Sequence, residues 1–131
     1  VYPLSLSDGK IHRLSVVYEY PSVKIYVDGV LIATKTLSGN MLSSSLSVGS
    51  PSLFIGSSNI RNEPSFAGVM YETKIYSRSL SSLEVADNTD VTNGLVLHYK
   101  FDGSDTNQAN DLSGNNNNGT IFGARPNVRR I

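Results

Sequence analysis

Val23-Lys24-Ile25-Tyr26-Val27-Asp28-Gly29-Val30 is the stretch that decides the fold. Val23, Ile25 and Val27 alternate with Lys24 and Tyr26, a period of two that gives a strand two distinct faces. Asp28-Gly29 stands between this run and the apolar run 30–36. A two-residue type I′ turn needs positive φ at both central residues, and Asp-Gly accepts it, so the pair predicts a hairpin whose return strand is 30–36. Upstream, Asp8-Gly9 is a second turn signal. It opens the run 10–20, in which Leu14, Val16, Tyr18 and Tyr20 share one face, and that face is expected to meet a core. Pro21-Ser22 separates the two runs.

Downstream the same pattern continues in shorter pieces. The Ser-rich stretch 38–52 reads as loop with at most one irregular strand, and Leu53-Phe54-Ile55-Gly56 as a short buried strand. Residues 66–77 are expected to form a long strand, with Gly68 a bulge or a point of close approach. Residues 80–86 suit one helical turn, capped by Ser81 or Ser82 with Glu84 as a first-turn carboxylate. Residues 87–93 read as connector. Leu95, Leu97, Tyr99 and Phe101 alternate on one face of a further strand. The stretch 102–119 is nearly all polar, and Thr120-Ile121-Phe122 is a last short strand. Strands separated by turn signals at short intervals predict an all-β, antiparallel sandwich or barrel.

Composition narrows the function classes. Eleven basic residues balance eleven acidic ones, so no net field attracts nucleic acid or an anionic membrane. Cysteine is absent, which removes disulfides and thiolate metal sites. No apolar run approaches the roughly 20 residues that a membrane-spanning helix needs, so no membrane insertion is expected. The chain begins at Val1 and ends just after Arg129-Arg130, as a piece of a larger chain or multi-protein assembly would.

Three stretches together resemble the concanavalin A-like lectin/glucanase superfamily in its laminin G-like jelly-roll form. Asp8-Gly9-Lys10-Ile11-His12, followed by Lys24-Ile25-Tyr26-Val27-Asp28-Gly29, is similar to the family hairpin, with Ile11 where Trp is usual. Leu53-Phe54-Ile55-Gly56, with Phe66-Ala67-Gly68-Val69-Met70-Tyr71-Glu72 and Ile75-Tyr76-Ser77-Arg78-Ser79-Leu80-Ser81, resembles the family's C-terminal strands. Gly94-Leu95-Val96, Phe101-Asp102 and Asp111-Leu112-Ser113-Gly114-Asn115 resemble the stretch that opens the family domain. Here that opening stretch comes last. Residues 1–90 therefore read as the C-terminal strands of a sandwich, and 91–131 as an N-terminal strand motif. The latter either begins a second module or is a permuted strand completing the first. In both cases the strand at 95–101 is expected to pair beside 66–76.

The resemblance also implies candidate sites. Calcium in the family sits at the loop matching 111–119, and Asp111 and Asn115 are oxygen donors of the kind Ca²⁺ prefers, with Glu72 the nearby acid; Tyr71 stands where the family places its acidic partner. The competing use of Asp111 and Ser113 is an Asx-type turn. Asn118-Gly119-Thr120 matches the N-glycosylation acceptor pattern, relevant only in a chain secreted by a eukaryotic host. Of the two histidines, His12 is expected to be structural and His98 to lie opposite Leu97 and Tyr99. A retaining glycosidase needs carboxylates about 5–5.5 Å apart, and Glu72 is the only acid of its strand. No Gly-x-Ser-x-Gly elbow is present either, so no catalytic residues are assigned. The tyrosines suit sugar stacking, though half-buried strand positions are their commoner fate.

Three functions compete. A non-catalytic module would recognise glycans or a protein surface through loops at the sandwich end, outside the cell or on a cell or virion surface. A structural unit of a virion, S-layer or adhesin would need no small-ligand site. A glycoside hydrolase would need the missing carboxylate pair.

Overall fold

The computed structural model describes residues 5–38, 53–57, 64–87, 90–103 and 105–126. The first sheet is built from β1 (Leu14–Glu19), β2 (Ser22–Val27) and β3 (Val30–Thr36), antiparallel in the order β1-β2-β3. The β2–β3 turn has the expected chemistry, with φ of 51° at Asp28 and 81° at Gly29. Gly29 is also needed for space, since a Cβ there would lie 3.0 Å from the Ala86 Cα. The Tyr20–Pro21 peptide between β1 and β2 is cis.

The cover of this sheet differs from the sequence expectation. Pairing of Leu14 with Val27, Val16 with Ile25 and Tyr18 with Val23 collects the predicted inward face on one side. On that side Val27 alone is buried; the hydrophobic cluster forms on the other side, where Val17 and Tyr26 meet Val85, with Leu80 packed alongside. Leu14, Val16 and Tyr20 stay exposed. Both faces carry apolar groups, and period-two alternation says which residues share a face, not which face is covered.

The cover comes from α1 (Ser82–Ala86), the one helix among the described residues. It is too short to be stable on local hydrogen bonds alone. A capping box holds its start: Glu84 N–H donates to Ser81 Oγ, and Ser81 N–H donates to the Glu84 carboxylate. Arg13 holds its end, with Nη2 donating to the carbonyls of Val85 at 2.9 Å and Ala86 at 2.6 Å.

The second sheet pairs β4 (Glu72–Tyr76) antiparallel with β5 (Leu95–Lys100), the pairing expected between the two segments of sequence. Thr73 and Ile75 stand opposite Tyr99 and Leu97 on the inner side. A third, short sheet joins β6 (Gln108–Ala109) to β7 (Gly119–Thr120). Leu97, Tyr99 and Ala109 form its joint core with the second sheet, and Ile55, Ile75, Phe101 and Ile121 pack against them. The Tyr99 and Phe101 rings meet edge to face, 6.0 Å apart.

Three further expectations are corrected. Residues 53–56 form no strand: Leu53 and Phe54 are exposed, and Ile55 alone reaches the core. The long strand at 66–77 shortens to β4, with Tyr71 and Ser77 at its two ends still bonded across to Phe101 and Gly94; Phe66 N–H instead donates to the Gly56 carbonyl. Gly68 is a close-approach point, with the Phe66 ring 2.7 Å from where a Cβ would stand. The last strand is β7 rather than 120–122. The Ser-rich stretch expected to be loop falls outside the described residues from 39 to 52.

Candidate functional site

The loop after β5 is tied to the sheet by one carboxylate. Asp111 Oδ1 accepts the N–H groups of His98 and Ser113, each at 2.9 Å. Its Oδ2 accepts the Asn117 N–H at 2.9 Å and the Ser113 hydroxyl at 2.8 Å. These donors outweigh the cost of covering the carboxylate and hold its pKa down at about 2. The Ser113 N–H bond is the Asx-type turn anticipated from the sequence. Asn115 Nδ2 donates to the Leu95 carbonyl at 3.1 Å, and Asn117 Nδ2 to that of Val96 at 2.9 Å. Asn118 Oδ1 accepts the Asp111 N–H at 2.8 Å, so the side chain of the glycosylation acceptor pattern is engaged through its oxygen. Tyr99 Oη donates to the Asn117 carbonyl and closes the loop from the core side.

Glu72 stands elsewhere. It accepts from His98 Nε2 at 2.6 Å on the outer face of the second sheet, with the Lys74 ammonium 3.8 Å away. Covering raises its pKa, but His98 and Lys74 more than reverse this and leave it lowered. The structure thus brings Asp111 and Asn115 into one loop and assigns Glu72 to a separate pair. The Asp111 oxygens accept from four donors. Among the described residues, no group of three or more His, Cys, Asp or Glu is placed to hold a metal ion.

Two side-chain clusters were not legible in sequence. Arg78 grips Glu84 through both guanidinium arms, at 2.9 Å and 2.7 Å, and donates from Nε to the Asn93 carbonyl. This fork, with the Ser81 N–H, holds the Glu84 pKa at about 2. His12 lies between two carboxylates: Nδ1 is 2.7 Å from Asp28 Oδ2, and Nε2 is 2.9 Å from Asp8 Oδ1.

A concavity of about 1440 Å³ lies along the inner side of the second and third sheets. Phe66, Tyr71 and Phe122 contribute aromatic surface to its walls, and Gln108, Asn110 and Asn117 contribute amides. The two carboxylates of its wall are Asp102 and Asp105, of which Asp105 accepts the N–H groups of Asn107 and Gln108.

Residues 2–86 match a family model described as the concanavalin A-like lectin/glucanases superfamily, of laminin G type. No match was found among curated proteins or among solved structures.

Proposed function

The chain belongs to the concanavalin A-like lectin/glucanases superfamily, and on that premise we propose that it is a non-catalytic module recognising glycans or a protein surface through loops at the end of its sheets. The observation that carries this reading is the groove. Small-molecule pockets run to about 300–1,000 Å³, whereas this one is about 1440 Å³. It therefore suits an extended chain or a surface better than a small compact ligand. Aromatic faces beside amides are what a sugar ring or a peptide backbone uses.

The use of the acids supports the non-catalytic half. Among the described strands the acids are Glu19 on β1 and Glu72 on β4, in different sheets. Glu72, Glu84 and Asp111 are each engaged by cations or N–H donors. A glycosidase would need a carboxylate pair flanking a scissile bond. No helix among the described residues is long and apolar enough to cross a membrane, and an extracellular or surface setting suits a module of this type.

The test is a glycan array together with a panel of extracellular protein domains, each with and without added Ca²⁺. Binding that weakens in Tyr71→Ala or Phe122→Ala supports the groove. Absence of any response at millimolar concentration sinks the reading. In that event the second reading, a structural unit of a virion, S-layer or adhesin, gains: the exposed apolar face of Leu14, Val16 and Tyr20 favours it. Concentration-dependent assembly in light scattering would be its signature.

A further inference from the structure

His12 joins two parts of the chain that nothing else in this cluster joins. Asp8 belongs to the turn before β1 and Asp28 to the β2–β3 turn. Carboxylates only accept, and an imidazole carries a proton on both nitrogens only as the cation. Both contacts are therefore hydrogen bonds only while His12 is charged. Deprotonation sets a nitrogen lone pair against one of the two carboxylates.

The structure shows which side gives way. Asp28 is held independently of His12: its Oδ1 accepts the Arg13 N–H at 2.8 Å, and its own N–H donates to the Arg13 carbonyl at 2.9 Å. Asp8 is held otherwise by Lys10, a member of its own turn, through the backbone N–H at 2.9 Å and the ammonium at 4.0 Å. We propose that His12 is a pH-operated latch, which ties segment 5–11 to the Asp28-Gly29 turn while protonated and releases it when deprotonated.

The charges around it agree with this direction. Asp28 and then Asp8 raise the His12 pKa above 6.5. Both carboxylates are themselves lowered, Asp28 by the Arg13 N–H and His12, and Asp8 by His12 and the Lys10 N–H. Of the cations nearby, Lys10 faces Asp8, and the Arg13 guanidinium is turned to the carbonyls that end α1. A raised histidine stabilises fully below its unfolded value of 6.5 and loses that contribution as pH climbs through the folded value. The latch is thus closed at mildly acid pH and opens towards alkaline pH.

The experiment is an NMR titration of the full chain from pH 5 to 10, following the His12 ring protons and the backbone amides of 8–11, with Asp8→Ala for comparison. In the wild type, His12 titrates above 6.5 and the amides of 8–11 shift with the same midpoint. Their exchange, corrected for the intrinsic effect of pH, rises about tenfold for each unit by which latching raises the His12 pKa, while β2 and β3 amides do not follow. In D8A the His12 midpoint falls and the 8–11 response disappears. A wild-type His12 that titrates at or below 6.5, or 8–11 amides unchanged across its midpoint, overturns the proposal. The wild-type titration decides even if D8A does not fold.

Discussion

Truncating Val85 to Ala removes two methyl groups from the one core side chain among the described residues with no solvent exposure at all. Those methyls lie against Val17 and Tyr26, with Leu80 beside them. Loss of transfer free energy costs about 0.8 kcal/mol per buried carbon group, and the partly unfilled space adds up to about 1 kcal/mol. Alanine is the better helix former by about 0.5 kcal/mol, which offsets part of this. The net destabilisation is about 2 kcal/mol. With a urea slope of about 2 kcal/mol/M for a domain of this size, the midpoint falls by about 1 M. Leu83→Ala is the control, since Leu83 is 83% exposed on the same helix, and it is expected to change stability by less than about 0.5 kcal/mol. Urea unfolding followed by tyrosine fluorescence reads both variants. If V85A and L83A cost the same, α1 does not cover the β1–β3 sheet in solution, and the account of that core is wrong.

Gly29→Ala and Gly9→Ala separate backbone strain from crowding. Both glycines have φ near +80°, but only at Gly29 would a Cβ meet another backbone, at 3.0 Å from the Ala86 Cα. Thermal melts should place G29A clearly below G9A, which carries only the left-handed cost of about 1–2 kcal/mol. Arg78→Lys loses the two-armed grip on Glu84, and the carboxylate, now at about 2, should climb towards its ordinary 4.5 in a ¹³C NMR titration. Asp111→Asn replaces one of two accepting oxygens by a donor, so the amides of His98, Ser113 and Asn117 should exchange faster while β1–β3 amides stay as they were. Glu84 and Asp111 both have lowered pKa values, so their stabilisation is complete above the ordinary carboxylate range and is lost as pH falls towards about 2. The urea midpoint should decline from pH 5 to pH 2; a flat profile there would contradict both assignments.

What the sequence made legible was local. Asp28-Gly29 predicted a hairpin because its turn chemistry is complete in two residues, and β2 and β3 lie where it placed them. A cap at Ser81 or Ser82 with Glu84 in the first turn predicted α1, because those signals lie within one turn, and in the structure Ser81 is the cap. The β4–β5 pairing was anticipated by family resemblance rather than by any local signal. The face of the first sheet that is covered was not legible, because Val17 and Tyr26 lie on the face that looks more polar in sequence, between Ser15 and Lys24. Strand signals at 53–56 had no ladder to join among the described residues. The Asp111 knot was half visible, as an Asx turn, while the donors from His98 and Asn117 depend on tertiary contact. Arg13 gave no signal, and Arg78 stood only within the stretch that resembles the family, since a long cation reaching carbonyls far along the chain leaves no period to read.

The grip of Arg13 on the end of α1 spans 72 residues of chain to Val85 and 73 to Ala86. The β1–β3 hairpins close over short loops and can form early, whereas their cover arrives only after the chain has reached α1. Closing so long a span is not prohibitive, since each doubling of loop length costs only about 0.6 kcal/mol. It does order events in time. Until the helix docks, Val17 and Tyr26 are bare on one side of the young sheet while Leu14 and Val16 are bare on the other. A strand trio sticky on both faces is a species prone to self-association, so the yield of folded protein depends on how quickly α1 arrives.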